Sequence, residues 1–451
     1  MSKNNLLTVL ILAGLVLGVL VGQFVLYNPI PDQRIDDAHW TKQMGDLVLI
    51  RPLTLMIIPL ILVSVVSGVT RIGDPSKLGV VGGATVTYYL ATMFAAVILG
   101  AILVTTIRPG AGLPPDTVAA LKAEGVERYA GSETVRAAAE TAQSTTLGEA
   151  WLNILRQMVP SNIVEEMANT RALGVIVFAI LIGLAIAAGG ERTRQAAAFF
   201  DAMFEAMMLL VRWIIWLTPI GVFMLAAWTV GKIGLGELLA PLGRYMLVVL
   251  VGLAIHGFIT LPAVLYVFTR VNPYRFMWRM RRALMTAFGT DSSSATLPVT
   301  IDNAEREGEC SRRASNFVLP LGATVNMDGT ALYEAVAVVF LFQLYGVTLS
   351  LDELVIVVIT ATLAAIGAAG IPSAGLVTMV IVIAAVNGSL AATGGASAPQ
   401  LPIAAIGIIL GVDRILDMCR TTINVWGDAV GAKIITRLAP DEADDRGKAM
   451  A

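Results

Sequence analysis

Charged and polar side chains recur near the end of the chain, in a segment that otherwise has the composition of an apolar helix. On a helix that advances about 100° per residue, these side chains fall within an arc of roughly 100°. The stripe consists of Asp413, Asp417, Arg420, Thr421, Asn424 and Asp428. Because a charge near the middle of a bilayer costs about 2.5–3.5 kcal/mol on insertion scales, the stripe must face a protein interior or a hydrated cavity.

Two members of the stripe suit a substrate that carries an amino group and a side-chain carboxylate. Arg420 has a planar guanidinium that can bind a carboxylate through two N–H groups. Asp417, three residues earlier, could hold an ammonium group. The alternative is an internal ion pair between Asp417 and Arg420 that stabilises the helix.

The composition indicates an all-α polytopic membrane protein. The chain has 451 residues, of which 56% are hydrophobic and 14% are charged, whereas soluble proteins carry about 25% charged residues. Apolar runs close to the length needed to cross about 30 Å of hydrocarbon occupy residues 6–27, 53–69, 88–107, 172–188 and 246–268. We expect the first run to be a retained helix rather than a cleaved signal, and we expect no nucleic-acid partner.

Cysteine and histidine are too sparse to suggest a disulfide framework, a zinc site or a histidine relay. The chain has two residues of each type, namely Cys310, Cys419, His39 and His256. His256 lies within an apolar run, so we expect it to be packed and hydrogen-bonded.

Basic residues predict the topology, because cytoplasmic ends of membrane helices are enriched in Lys and Arg. Such residues follow the second, fourth and last apolar helices at Arg71, Lys77, Arg192, Arg194, Lys433 and Arg437. Both termini are therefore expected in the cytoplasm. Residues 108–148, with several Pro and Gly at their start, predict a long external loop with some helical character.

Residues 283–300 predict a re-entrant hairpin. Arginines flank this segment on both sides, so a segment that enters and leaves on the cytoplasmic side fits better than a single crossing. Its tip would be Asp291 and the three serines that follow, because irregular backbone at membrane depth must be buried or line water. The alternative is a serine-rich contact between two helices.

A second interruption and two polar helices complete an internal repeat. Residues 367–375 are rich in Gly and Ala with one Pro, and they break an apolar run about halfway. Each broken segment is followed by a helix with polar residues at its middle, at 326–330 and at 413–428. Paired interruptions of this kind are typical of binding sites in secondary transporters. Unwinding at 326–330 would free carbonyl oxygens for a hard cation such as sodium, and a purely structural kink is the alternative.

Four motifs resemble those of the glutamate transporter family, the dicarboxylate and amino acid:cation symporters that include excitatory amino acid transporters. They are Ser-Ser-Ser-Ala-Thr-Leu-Pro at 292–298, Asn-Met-Asp-Gly-Thr-Ala-Leu-Tyr-Glu at 326–334, Gly-Ile-Pro-Ser-Ala-Gly at 370–375 and Asp-Met-Cys-Arg-Thr at 417–421. The resemblance covers nearly the whole chain. It implies eight transmembrane helices plus two re-entrant helical hairpins in inverted repeats, a homotrimer, and an elevator-type mechanism.

The resemblance also implies a division into a scaffold and a mobile transport domain. The scaffold would comprise residues 1–75 (helices 1 and 2) and 149–235 (helices 4 and 5). The transport domain would comprise residues 76–107 (helix 3) and 236–440 (helix 6, hairpin 1, helix 7, hairpin 2 and helix 8). The external loop would span 108–148 and a cytoplasmic tail 441–451.

Site residues follow from the same resemblance. The substrate site would comprise Ser292, Ser293, Thr330, Ile371, Gly375, Asp417, Arg420, Thr421 and Asn424, with Asp417 taking the amino group. One sodium site would comprise Gly322, Asn326, Asn424 and Asp428. A second would use the backbone around Thr324, Ala365, Ile366 and Ala368, and a third would use Tyr89, Thr92, Asn326 and Asp328.

The same resemblance indicates which substrate and which coupling ions to expect, because single positions differ among members of the family. Asp417 favours an amino acid over a dicarboxylate, and Arg420 favours an acidic amino acid over a neutral one. Asp428 favours sodium over proton coupling. Glu334 stands where animal relatives carry a proton on glutamate, so it is a candidate proton carrier, and a structural hydrogen bond is the alternative.

Two positions depart from the family pattern. Asp291 stands where relatives have arginine or serine, and the arginine that animal members carry at the position of Met418 is absent too. We therefore expect Asp291 to compete for Arg420 and to modify specificity, either by weakening the binding of acidic side chains or by shifting preference to a smaller or neutral amino acid. Met93 replaces a hydroxyl residue of the third sodium site.

The sequence predicts a sodium-coupled secondary active symporter of acidic amino acids, aspartate or glutamate, in a plasma membrane (bacterial inner membrane). Sodium is the coupling ion, the proton is a possible further one, and no organic cofactor is expected. A neutral amino acid or C4-dicarboxylate symporter of the same family remains an alternative. Two other classes remain open, an ion channel and an intramembrane enzyme that uses Asp328 and Asp428 as a carboxylate pair.

Overall fold

The computed structural model of the chain is helical throughout its described part. It describes residues 3–28, 30, 33–36, 38–72, 75–132, 135–136, 156, 159–169, 172–233, 242–366, 370, 373–394 and 400–441. These residues contain α-helices, short π- and 3₁₀-helical turns and connecting loops, with no β-strand among them. The all-α prediction is confirmed for this part of the chain.

The first half of the chain contains nine helices among its described residues. They are α1 (Lys3–Val21), α2 (Trp40–Gly45), α3 (Arg51–Ile72), α4 (Pro75–Ile107), α5 (Pro115–Gly131), α6 (Ile163–Ala168), α7 (Ala172–Gly189), α8 (Arg194–Ile215) and α9 (Thr218–Ile233). Short π-helical segments continue α1 over Gly22–Leu26 and precede α3 over Asp46–Ile50.

The second half contains ten helices among its described residues. They are α10 (Gly243–Ile255), α11 (Leu261–Thr269), α12 (Pro273–Arg279), α13 (Arg281–Thr290), α14 (Ser293–Arg306), α15 (Arg312–Val325), α16 (Asp328–Leu344), α17 (Leu351–Ile366), α18 (Ala374–Gly394) and α19 (Gly407–Ile435). A π-helical turn, His256–Thr260, joins α10 to α11.

Seven helical stretches within the described residues are long and apolar enough to cross a membrane. They are Val9–Leu26, Trp40–Thr70, Gly79–Ile107, Leu173–Ile215, Gly243–Thr269, Arg312–Leu344 and Ala374–Ala391. The final helix α19, at 29 residues, is also long enough to cross a membrane. It is not among these seven because its charged stripe makes it less apolar. The expected count of eight transmembrane helices stays a prediction.

The first predicted hairpin is confirmed as a helix–turn–helix. Asp291 ends α13 in the left-handed region, with φ of 56°, and its amide donates to the carbonyl of Ala287. Ser292 then caps α14, because its hydroxyl oxygen accepts a hydrogen bond from the amide of Ala295 at 3.1 Å. A polar side chain that caps a helix in this way satisfies one of the free amides of the first turn.

The second predicted hairpin consists of α17 and α18, which pack against each other. Between them the structure describes Gly370 and Ser373, and Ser373 has a positive φ of 59°. Ala374 and Gly375 of the predicted tip begin α18, whereas residues 367–369, 371 and 372 lie outside the described part, including Ile371 of the expected substrate site and Ala368 of the second expected sodium site.

The chain is unwound between α15 and α16, as the polar motif at 326–330 predicts. Asn326 (φ −95°, ψ 84°) and Met327 (φ −110°, ψ 55°) leave the helical region, and Asp328 begins the next helix. The helix α19, which carries the opening stripe, continues through it without a break. Only one of the two polar helices therefore contributes irregular backbone.

The helical character expected in the loop at 108–148 is confirmed for α5. This helix of 17 residues packs against α19 and the 3₁₀ turn Ile403–Ile406. A Cβ on Gly407 would lie 1.8 Å from the carbonyl oxygen of Gly125, so the two backbones touch. Residues 133–134 and 137–148 lie outside the described part.

Helix contacts group the elements into two sets. In one set α1 packs along α9, and α3 packs on α7 and α8. In the other, α4 packs on α16, and α13, α15 and α16 surround α19. The sets meet where α3 contacts α14 and α15. The division into scaffold and transport domain at the boundaries given above stays a prediction.

Three glycines spaced four residues apart let α1 approach α9 closely. A Cβ at Gly14, Gly18 or Gly22 would lie within 2.5–2.7 Å of a backbone carbonyl oxygen of α9. Small residues at this spacing are typical of membrane helices whose backbones touch, since van der Waals packing drives their association. This pattern is visible in the sequence, although the motifs considered above do not include it.

We expect Gly18→Leu to destabilise the protein by about 1–3 kcal/mol, the usual effect of overpacking. Its side chain would have to displace the carbonyl of Phe223, which lies 2.5 Å from the Cβ position. The control is Gly83→Leu on α4, where no atom lies within 4 Å of the Cβ position. Thermal unfolding in detergent measures both variants, and equal stability of the two would contradict the packing argument.

Candidate functional site

The tips of the two hairpins meet beside α19. The carbonyl oxygen of Gly370 accepts hydrogen bonds from the amide of Ser294 at 3.1 Å and from the hydroxyl of Ser292 at 2.5 Å. A Cβ on Gly370 would lie 2.3 Å from the Ser294 hydroxyl and 2.4 Å from the carbonyl oxygen of Ala323. Glycine is therefore required for the contact between the tips. Ser293, from the expected substrate site, is buried at the start of α14.

Arg420 lies at the centre of a buried ionic cluster. Its Nε is 2.5 Å from Asp417 Oδ1, and its Nη1 is 2.9 Å from Asp413 Oδ1. The guanidinium carbon lies 4.2 Å from the centre of the Tyr333 ring. The internal ion pair between Asp417 and Arg420 is thus present. The remaining nitrogen, Nη2, is buried and has no hydrogen-bond partner among the described residues. Its N–H groups are therefore available to a ligand.

The carboxylate of Asp417 also contacts the second hairpin. Its Oδ2 accepts a hydrogen bond from the Ser373 amide at 2.5 Å. Gly375 lies on the same hairpin, and its Cβ position would be 3.4 Å from the Arg420 guanidinium carbon and 3.0 Å from Thr330 Cγ2. The structure therefore brings these substrate-site candidates together around the guanidinium.

Asp413 has a defined place in the cluster, although its sequence position assigns it no role. Its Oδ1 accepts a hydrogen bond from the Tyr333 hydroxyl at 2.7 Å, as well as the bond from Arg420. Sequence reasoning missed Tyr333. The available signal is its spacing, because Tyr333 follows Thr330 by three residues on α16 and so shares its face.

Asp291 forms an ion pair with Arg414 rather than with Arg420, and its expected effect on specificity stays a prediction. Asp291 Oδ2 lies 2.9 Å from Arg414 Nη1, and its Oδ1 accepts a hydrogen bond from Thr421 at 3.5 Å. Arg420 instead binds the two aspartates of its own helix. The tip therefore has an arginine partner, at a position that the family motifs do not include. The signal for Arg414 is a charge in an apolar helix beside the stripe.

A second cluster of oxygen atoms lies where α4, α15 and α19 approach each other. The side-chain amide of Asn326 donates to Asp428 Oδ1 at 3.0 Å, and its oxygen is 3.5 Å from the Thr92 hydroxyl. Gly322 is packed on the same carboxylate, since its Cβ position would be 2.3 Å from Asp428 Oδ1 and 2.7 Å from the Tyr89 hydroxyl. These five residues, all expected sodium ligands, are thus neighbours.

Asn424 lies four residues before Asp428 on α19 and contacts the start of α16. Its side-chain oxygen accepts a hydrogen bond from the Gly329 amide at 2.7 Å, and its amide nitrogen lies 3.2 Å from the Thr330 hydroxyl. The first turn of α16 is thereby fixed to α19.

His256 is packed and hydrogen-bonded, as predicted. Its Nε2 lies 3.1 Å from Asp328 Oδ2, and both side chains are fully buried. The other carboxylate oxygen of Asp328 has no hydrogen-bond partner among the described residues. Met93, which replaces the expected hydroxyl residue, is fully buried nearby on α4 and offers no oxygen.

The residues of the second expected sodium site lie at the ends of α15 and α17. These two helices are in contact, and the carbonyl oxygen of Ala323, next to Thr324, faces Gly370. The Thr324 hydroxyl donates to the Leu321 carbonyl at 3.1 Å. Ala365 is buried and Ile366 is partly exposed. A cation site at these residues stays a prediction.

Glu334 forms a hydrogen bond within the protein interior. Its Oε1 accepts from the Thr378 hydroxyl on the second hairpin, and its Oε2 has no partner among the residues described. The structural hydrogen bond is therefore present, and a role as proton carrier stays a prediction. The two roles are compatible, because the second oxygen could hold a proton.

The oxygen atoms of the second cluster suit a hard cation. Carboxylate, amide, hydroxyl and carbonyl oxygens are the ligands such ions prefer. Across the described residues, no group of three His, Cys, Asp or Glu side chains could hold a metal ion. A monovalent cation held by Asp328, Asp428 and neutral oxygens would fit this arrangement, and such a site stays a prediction.

Comparisons with known proteins agree with a transport function. The model of the "Sodium:dicarboxylate symporter family" matches residues 7–438. Excitatory amino acid transporter 3 of Oryctolagus cuniculus is 37% identical over 98% of this chain and 87% of its own length. An excitatory amino acid transporter of Caenorhabditis elegans is 37% identical over 98% and 89%. The neutral amino acid transporter B(0) of Bos taurus is 36% identical over 86% and 72%.

We expect Gly322→Ala to abolish sodium-dependent thermal stabilisation. The added methyl group would lie 2.3 Å from Asp428 Oδ1, so the carboxylate would have to move away from its oxygen neighbours. The measurement is the unfolding temperature of purified protein in sodium chloride and in choline chloride at equal ionic strength. Gly83→Ala, which meets no atom within 4 Å, is the control. An unchanged sodium effect in Gly322→Ala would exclude the cluster as a sodium site.

Proposed function

Because the chain belongs to the sodium:dicarboxylate symporter family, we propose that it is a sodium-coupled secondary active symporter of an acidic amino acid, aspartate or glutamate. The observation that carries this proposal is the buried Arg420 guanidinium beside Asp417, whose Nη2 has no hydrogen-bond partner among the residues that the structure describes. A group that can bind an anion, the Arg420 guanidinium, is therefore next to one that can bind a cation, the Asp417 carboxylate. An acidic amino acid carries both a positive ammonium group and negative carboxylates.

Each part of the substrate has a complementary group in the proposed site. The ammonium group would bind the carboxylate of Asp417 in place of the Ser373 amide that contacts it in the structure. The side-chain carboxylate would bind the guanidinium of Arg420. The main-chain carboxylate would accept hydrogen bonds at the first hairpin tip, where the amides at the start of α14 attract anions.

Asn424 would couple substrate binding to sodium binding, because it is an expected ligand of both sites. It contacts Thr330 and Gly329 on one side, and it would be a ligand of the same sodium ion as Asp428. A sodium ion would compensate the buried carboxylates of Asp328 and Asp428, whose isolated charges are costly in a low-dielectric interior. Sodium and substrate would therefore favour the same arrangement of α16 and α19, and each would raise the affinity for the other.

The proposal extends to assembly, mechanism and location. We assign the chain a homotrimeric state, inverted repeats, and an elevator movement of the transport domain relative to the scaffold. We place it in a plasma membrane, the bacterial inner membrane, with both termini in the cytoplasm. The motifs at the two hairpins and the long apolar helices support these assignments. Surrounding lipid and a small-molecule amino acid are the partners expected.

Glu334 is proposed as a carrier of a co-transported proton. It is buried and one of its oxygens has no partner among the described residues. Thr378, its hydrogen-bond donor, lies on the second hairpin, so movement of that hairpin would change the environment of the carboxyl group.

A neutral amino acid substrate is the second candidate, and the similarity to neutral amino acid transporter B(0) of Bos taurus supports it. The buried guanidinium of Arg420 favours the acidic substrate, because a neutral side chain would leave its Nη2 unpaired. An ion channel is disfavoured, since the hairpin tips are hydrogen-bonded to each other in an arrangement that suits occlusion rather than a continuous path.

The proposal predicts uphill uptake of an acidic amino acid. Proteoliposomes that contain the purified protein should accumulate labelled aspartate or glutamate when sodium is higher outside than inside. Equal sodium on both sides is the control and should give no accumulation, with the membrane potential clamped at zero in both experiments. Failure of every amino acid to accumulate under the gradient would exclude sodium-coupled symport.

Arg420→Cys should weaken aspartate binding by about tenfold to a hundredfold, because a hydrogen-bonded charged group contributes about 1.5–3 kcal/mol. Binding of a neutral amino acid such as serine should be retained or increased. Thr422→Cys on the same helix is the control, since its hydroxyl bonds to the Met418 carbonyl rather than to the cluster. Competition of each amino acid in a sodium-dependent binding assay measures this. Unchanged aspartate competition would exclude Arg420 as the side-chain partner.

A further inference from the structure

We propose that Arg414 determines specificity by neutralising Asp291, which leaves Arg420 available for the acidic side chain of the substrate. The inference rests on the proposed function and assigns to that site a residue outside its expected ligands. Arg414 acts through Asp291 and is therefore a positioning residue rather than a substrate ligand.

The backbone fixes Asp291 at the tip of the first hairpin. Its φ of 56° ends α13, and its amide is bonded to the Ala287 carbonyl at 2.9 Å. The side chain is fully buried, so water cannot compensate its charge. A buried carboxylate in this position needs a cation from the protein. Arg414 Nη1, at 2.9 Å from Asp291 Oδ2, meets this need.

The same carboxylate lies next to the proposed substrate site. Asp291 Oδ1 is 3.5 Å from the hydroxyl of Thr421, the residue that follows Arg420. Ser292, the next residue along the chain, holds the carbonyl of Gly370 and caps α14. An unpaired charge on Asp291 would therefore act both on the substrate carboxylate and on the position of the hairpin tip.

The number of buried charges shows why Arg420 alone cannot compensate the aspartates and also bind an acidic side chain. Three aspartates, Asp291, Asp413 and Asp417, share this part of the interior with the two guanidiniums of Arg414 and Arg420. Arg420 already binds two of the aspartates. Without Arg414, the carboxylate of Asp291 would draw on the potential of Arg420 and repel an acidic side chain, since like charges in a low-dielectric site interact strongly.

The surroundings of Arg414 make it suitable for substitution. Its side chain is 23% exposed and borders a cavity of about 850 Å³ together with Trp228 and Thr290. Its guanidinium carbon lies 5.7 Å from the centre of the Trp228 ring on α9. A shorter polar side chain would meet this cavity rather than a closed core, so we expect Arg414→Gln to fold.

The test is a double-mutant cycle on full-length protein in detergent. The variants are Arg414→Gln, Arg414→Lys, Asp291→Asn and the double variant Arg414→Gln/Asp291→Asn. Binding of L-aspartate and of L-serine is measured for each in sodium chloride, with thermal unfolding of the same preparations as a check of folding. The quantity compared is the ratio of the two affinities, because a purely structural defect lowers both together.

Arg414→Gln should weaken aspartate binding by about tenfold or more while changing serine binding by less than about threefold. Arg414→Lys should keep the wild-type ratio, and Asp291→Asn should retain or increase aspartate binding. The double variant should restore the ratio to within about threefold of wild type. These four results together support the proposal.

Two outcomes would overturn it while leaving the proposed function intact. In the first, the wild-type protein binds aspartate and Arg414→Gln has the same ratio of aspartate to serine affinity as the wild type. In the second, removal of Asp291 fails to rescue Arg414→Gln in a double variant that unfolds at the wild-type temperature. A wild-type protein that binds no amino acid in sodium chloride would instead overturn both the inference and the proposed function.

Discussion

Compensation of buried charge is the constraint on which the rest of the structure depends. The interior around α19 holds Asp291, Asp413, Asp417, Arg414 and Arg420, and the two arginines are ion-paired with all three aspartates. Loss of one partner from a buried pair typically costs about 3–5 kcal/mol. The first hairpin tip and α19 must therefore keep the relative positions that hold these charges within ion-pair distance.

Unsatisfied backbone imposes a similar requirement on the interrupted helices. Amides and carbonyls freed by a break in a membrane protein need partners within the protein. The Gly329 amide, near the start of α16, finds the Asn424 side chain, and the Gly370 carbonyl finds Ser292 and Ser294 of the other hairpin. The same polar groups are the ones proposed to hold substrate and ions. Stability and the proposed binding would thus use the same residues, so movement of either hairpin would change both.

Three features are predictable because each depends on local signals. Flanking arginines predict the hairpin at 283–300, polar residues predict the unwound segment at 326–327, and the surrounding apolar run predicts the burial of His256. The ion pair of Asp291 with Arg414 was not predicted. A motif comparison directs attention to positions where relatives carry arginine, and Arg414 is at none of them. The contacts of Tyr333 with Asp413 and of His256 with Asp328 were also missed, since each joins residues distant in sequence.

The sequence by itself determined the membrane class, the helical architecture, the interrupted segments and the presence of a polar stripe on α19. These properties follow from hydropathy, residue periodicity and helix-breaking residues, which act over a few turns of chain. Only the tertiary structure decided which charges pair. Asp291 and Arg414 are more than a hundred positions apart, and their ion pair depends on a separation of 2.9 Å. Such a distance is set by how hairpin and helix pack, which local preferences do not specify.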